Sequence, residues 1–117
     1  MVTRLETQLG PAANVNPIGT TYTNLYTSTA ATTNILVHMT NTSAQAQLVR
    51  LFIADSSWTS GLPAGTTLIA AIVFDASIGV GNSLQVSGII MVSGQKLIAR
   101  AAAAGSVNFL ASGVVIT

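Results

Sequence analysis

The residues able to do chemistry are few: a single histidine, His38, two interior carboxylates, Asp55 and Asp75, and a scatter of serines. Hydrolysis by a Ser-His-Asp set needs a nucleophile on strained backbone with a base in reach, and no Gly-x-Ser-x-Gly elbow occurs in the chain. His38 lies between Val37 and Met39 in an alternating run, so it belongs to one face of a sheet. A packed or surface histidine is the better reading there than a general base, with a pH-sensitive contact as its other role. Asp55 and Asp75 each follow an apolar run, where a carboxylate caps a turn by accepting from loop amides. As a glycosidase pair they would need a groove with stacking aromatics, which a chain with 5% aromatic residues hardly supplies. Gly79-Val80-Gly81 lacks the third glycine and following helix of a nucleotide loop, and Gly94-Gln95-Lys96 lacks the upstream glycine of a phosphate loop. With 3 acids and 1 histidine there is little to converge on an ion. The expectation is therefore no catalytic residue, no metal, no cofactor and no small-molecule substrate.

Such a chain must act through its body, and composition says what kind. Its 117 residues make one domain, which buries roughly two thirds of the unfolded surface. The absence of cysteine removes thiol catalysis, cysteine-based zinc binding and disulfides, and leaves the redox compartment open. Only 6% of residues are charged and 50% are hydrophobic, against an ordinary charged share of about 25%. A formal net charge of +1 gives little repulsion against association, so the chain is expected to live in an assembly with itself and with other proteins. Arg4, Arg50, Lys96 and Arg100 are scattered, with no basic stripe interleaved with aromatics, so no direct nucleic-acid binding is expected. The apolar run at residues 68–74 is far short of the roughly 18–20 residues of a membrane helix. The N-terminus has no hydrophobic signal core, so no membrane partner is expected and the chain is expected to begin at Met1.

Periodicity then supplies the elements. Residues 34–55 read as two strands about a polar turn, Asn41-Thr42-Ser43-Ala44-Gln45. Ile35, Val37 and Met39 alternate with Leu36, His38 and Thr40, then Val49, Leu51 and Ile53 with Leu48, Arg50 and Phe52. Apolar residues on both faces predict a central hairpin covered on each side. Before it, residues 1–18 hold prolines and no sustained period and read as an extended N-terminal arm, which either lies on a neighbour or contacts nothing. Residues 20–33 read as a strand with Tyr22, Asn24 and Tyr26 on one face, then a turn. Residues 56–65 gather Ser, Gly and Pro around Trp58 and Leu62 into the longest loop. Trp58 is either an interface anchor or a lid over one end of the core, and the lid is the stronger reading.

Residues 66–75 predict a strand buried on both faces, a short buried helix being the alternative. A turn over residues 76–83 leads to a second hairpin, residues 84–93 reversing at Gly94-Gln95 into residues 96–104. There Leu84, Val86, Gly88, Ile90 and Val92 are expected on one face and Gln85, Ser87, Ile89 and Met91 on the other. Gly105-Ser106 reverses again into residues 107–117, with Val107, Phe109, Ala111 and Val115 on one face. Six to eight strands punctuated by turns predict an all-β fold over residues 19–117, an antiparallel β-sandwich or a flattened jelly-roll-like barrel.

From residue 20 onward the pattern resembles small β-domains that recur in virion proteins of tailed bacteriophages. The resemblance lies in Leu25-Tyr26-Thr27 opening a strand, Asn34-Ile35-Leu36-Val37 leading to Asn41-Thr42 at a turn, and the strand from Val49 to Ile53. It continues in Ser87-Gly88-Ile89-Ile90 before Ser93-Gly94-Gln95-Lys96-Leu97, and in Val107-Asn108-Phe109 with Ser112-Gly113-Val114-Val115-Ile116. It implies a structural role in the virion, on the capsid or on the neck, tail or baseplate, with a major capsid or tail protein as partner. This chain is almost only the one domain, which disfavours a fibre and favours a small decoration, or cement, subunit. Trp58 and Leu62 on the loop and Arg4, Leu5 and Leu9 on the arm are the expected interface contacts. From another class, a sandwich with a tryptophan on a loop also frames a carbohydrate-binding module.

Overall fold

The computed structural model describes residues 4–9, 22–29, 32–103 and 106–116. They form eight strands: β1 Arg4–Leu9, β2 Thr23–Thr27, β3 Thr32–Asn41, β4 Gln47–Ala54, β5 Leu68–Ile78, β6 Ser83–Met91, β7 Lys96–Ala101 and β8 Val107–Ile116. A 3₁₀ turn, Gly65–Thr67, precedes β5. Two four-stranded sheets result, in the orders β1-β8-β3-β6 and β2-β7-β4-β5. The first is called the 1-8-3-6 sheet below and the second the 2-7-4-5 sheet.

The pairings follow a simple rule. β4 pairs antiparallel with β5, β3 with β6, β2 with β7 and β1 with β8. That is a ribbon doubled back at the β4–β5 connection and then rolled, so that β3 also meets β8 and β4 also meets β7. The fold is an eight-stranded jelly roll. Rolling distributes successive strands to alternate sheets, and β4–β5 is the one sequence-adjacent pair that stays together.

Several expectations change as a consequence. β3 and β4 are each central in a sheet, but in different sheets, so residues 34–55 form an arch and not a hairpin. Asn41, 1% exposed, holds that arch. Its Nδ2 donates to the carbonyls of Gln45 (2.7 Å) and Ile78 (2.9 Å), and its Oδ1 accepts from the Ser43 amide (2.9 Å) and hydroxyl (2.7 Å). The Ile78 bond ties the end of β3 to the end of β5 across the two sheets, and leaves no polar atom of the buried amide unmet. β6 and β7 likewise lie in different sheets, so the second expected hairpin is also a crossing. The reversal expected at Gly105-Ser106 falls partly outside the described residues, which lack Ala104 and Gly105.

β5 is an edge strand with alternating exposed positions, in place of the strand buried on both faces. The segment read as an arm contains β1, whose six residues pair with β8 from Arg4↔Ile116 to Leu9↔Ala111. The sheet thus extends into that segment, whose residues 10–18 lie outside the described ones.

Between the sheets lies the core that the alternation predicts: Ile35, Val37 and Met39 from β3, Val49, Leu51 and Ile53 from β4, and Val107, Phe109 and Ala111 from β8. Bulges in β2 and β6 displace the faces of those strands. β2 slips between Asn24 and Tyr26, so Tyr26 packs on this core while Tyr22 joins a second cluster. In β6 the register jumps from Ile35↔Ile89 to Val37↔Val86, with Gly88 at φ +73°. The extra residue inverts the phase, turning Ile89 and Met91 inward and Ile90 outward.

Gly113 meets a different requirement. A Cβ there would run into the Asn34 carbonyl oxygen and lie 3.1 Å from the Ile35 Cα, so β8 and β3 approach closely only because this position is glycine.

Candidate protein-interaction face

The apolar residues that β4 shows on its second face are explained by the loop after it. Phe52, Ala54 and Ile98 on the outer face of the 2-7-4-5 sheet are covered by Trp58, with Tyr22 and Leu68 packed around them. Trp58 is only 6% exposed, and its indole Nε1–H donates to the Gly61 carbonyl at 2.9 Å. Lys96 Nζ donates to the Trp58 carbonyl at 2.7 Å. Asp55 anchors the start of the loop, its Oδ2 accepting from the Ser57 hydroxyl (2.6 Å) and amide (3.1 Å). Those bonds hold the Asp55 carboxyl below its ordinary value. This is the turn-capping role expected of it.

The loop covers one end of the outer face and leaves the other end open. There Arg50 of β4 stands directly opposite Arg100 of β7. Like charges across a ladder repel, and the surroundings offset that repulsion. Arg50 Nε and Nη2 donate to Asp75 Oδ1 and Oδ2 at 2.7 and 2.9 Å, a two-point ion pair. Arg50 Nη1 donates to the Tyr22 hydroxyl at 2.7 Å. Its guanidinium lies 4.2 Å from the Phe74 ring centroid, and that of Arg100 lies 5.8 Å from the Tyr22 centroid. The Tyr22, Phe52 and Phe74 rings meet in series, with centroids 5.7 and 6.1 Å apart. The bonds to Asp75 and Tyr22 raise the pKa of Arg50 further. Those from Arg50, with the charges of both arginines, hold the Asp75 carboxyl below its ordinary value.

Asp75 reaches this place through a bulge. Val49 pairs with Ala76 and Arg50 with Phe74, which leaves Asp75 as the extra residue of β5, at φ +55°. A non-glycine residue there is uncommon, and aspartate tolerates it better than most. Asp75 was expected to cap the end of a strand; it lies within one, re-aimed at Arg50. The outcome is a fixed cationic and aromatic patch flanked by open apolar surface, with Phe74 59% and Leu48 45% exposed. Arginine and aromatic side chains held rigid beside apolar surface are the types that anchor protein interfaces.

The residues singled out from sequence are not brought together. His38 is on β3 in the other sheet from Asp75, and among the described residues no three of His, Cys, Asp and Glu gather as a metal site. Leu62 is 53% exposed on the loop. Trp58 is taken up by the lid, so its own ring offers no open face for stacking. Arg4, Leu5 and Leu9 are placed on β1 by backbone register.

No protein-family model matches the sequence, and no curated protein does. Among solved structures the chain is similar to one in the "Structure of infectious bursal disease virus Gt strain", at 9% identity and a TM-score of 0.36. The match covers 99% of this chain and 30% of that one, so this chain spans less than a third of its length. A likeness at that level assigns no function.

Proposed function

We propose that the chain is a non-enzymatic structural protein of a phage particle, a decoration subunit that stabilises the capsid through protein-protein contacts. The observation that carries this reading is the open end of the 2-7-4-5 sheet. Arg50 is held by Asp75, Tyr22 and Phe74 with Phe74 and Leu48 exposed beside it, on a chain with 6% charged residues. A patch whose rotamers are locked before binding loses little entropy on docking. Exposed Phe74 and Leu48 beside the held guanidinium favour a partner surface that is mainly apolar with a few acceptors, as a major capsid protein can present. A ligand that binds only the assembled shell stabilises it by mass action. The resemblance of residues 20–117 to phage virion domains points the same way. The test is a thermal-release experiment on purified particles: shells stripped of this protein should open at lower temperature and recover when it is added back. Shells indifferent to its presence would end the decoration reading.

A further inference from the structure

The opposite face of the jelly roll has a different character. β3, β6 and β8 contain no aspartate, glutamate, lysine or arginine at all; in the 1-8-3-6 sheet these residues occur only on β1, as Arg4 and Glu6 at the sheet's edge. Arg50, Asp75 and Arg100, by contrast, all lie on the 2-7-4-5 sheet. The outward side of the uncharged strands is neutral, with apolar residues set among polar ones such as Gln85, Ser87, Asn108 and Ser112. Ile90 (51% exposed) and half-buried Val114 flank Asn34. Half-buried Leu36 follows along β3, and Leu110 (40% exposed) lies beside His38.

We propose that this face is where a second copy of the chain docks, sheet on sheet, in a two-fold symmetric dimer. Charge selects the occupant. A charged partner surface would be desolvated here with no counter-charge to meet it, so the surface that fits is equally uncharged, and a second copy supplies one.

The area suffices. Three uncharged strands about 4.8 Å apart and up to ten residues long at about 3.4 Å per residue present roughly 500 Å² per copy, about 1,000 Å² in all, about the least that a specific interface needs. Two twisted sheets packing at about 30° bring their central strands together near the axis, which places His38 of one copy close to His38 of the other. The dimer leaves the Arg50 patch open and does not depend on where the protein works.

Sedimentation of the whole chain, with Leu110→Asp and Leu48→Asp alongside, tests this. The wild type should be a dimer, Leu110→Asp should weaken it at least about 100-fold by burying two unpaired carboxylates, and Leu48→Asp should leave it intact. A monomeric wild type, a Leu110→Asp dimer of undiminished strength, or equal disruption by Leu48→Asp would overturn the proposal. Should Leu110→Asp fail to fold, His38→Cys in this cysteine-free chain decides. A short bismaleimide should then link two copies in high yield and leave Leu48→Cys unlinked; no link through residue 38, or an equal link through residue 48, would overturn it.

Discussion

Replacing Trp58 by alanine separates the two roles open to a lone loop tryptophan. The ring is 6% exposed and closes a cluster of Phe52, Ala54 and Ile98, and its Nε1–H satisfies the Gly61 carbonyl. Truncating a buried tryptophan costs about 3–5 kcal/mol. The lower end applies here, because a loop can settle onto Phe52 more readily than a core strand can shift. About 3 kcal/mol, at about 4 °C per kcal/mol for a chain of this size, lowers Tm by roughly 12 °C. Urea unfolding followed by far-UV circular dichroism measures it, since the variant removes the only indole, and Trp58→Phe should recover about half the loss. Binding to stripped shells should be unchanged at temperatures where the variant is folded. A variant within about 0.5 kcal/mol of wild type that nonetheless fails to bind shells would show that Trp58 is a contact and refute the lid.

Gly113→Ala should cost about 2–4 kcal/mol by urea unfolding, because its Cβ meets backbone of β3 that cannot rotate away; a neutral effect would mean that the two strands are less closely joined. Phe74→Ala should leave stability within about 1 kcal/mol, since the ring is 59% exposed, yet weaken shell binding more than tenfold; retained affinity would remove the patch from the interface. Asp75 and Asp55 are held below their ordinary values when folded, so the unfolded chain takes up their protons first. Their contribution is present above about pH 4 and is lost as pH falls toward the folded-state values. Asp75→Asn, which keeps a residue tolerant of positive φ, should flatten part of that acid limb; an unchanged limb would show that the ion pair does not couple to folding.

The strands were legible because burial on one face writes a period of two into the chain, and Ile35, Val37, Met39, Val49 and Leu51 all lie where alternation puts them. Partnering was not legible. A short polar turn such as residues 41–45 serves a hairpin and an arch equally, and the choice rests on Asn41 reaching the Ile78 carbonyl 37 residues away. Bulges were the second blind spot: one extra residue at Gly88 inverts every position after it, although a glycine inside a strand pattern was its signal. The patch around Arg50 was missed for the same reason. Tyr22, Arg50, Phe74, Asp75 and Arg100 come from β4, β5, β7 and the residue before β2, and meet only once the ribbon has rolled. The available hint was Arg50 alone in an apolar strand, a charge that needs a partner, and Asp75 could have been matched to it.

Counting this protein against the major shell protein in purified particles, by quantitative mass spectrometry with imaging of its position, tests the decoration role most directly. The account predicts copies in fixed proportion to the shell subunits and density on the outer capsid. A small number set by the symmetry of the tail, or absence from the particle, would contradict it.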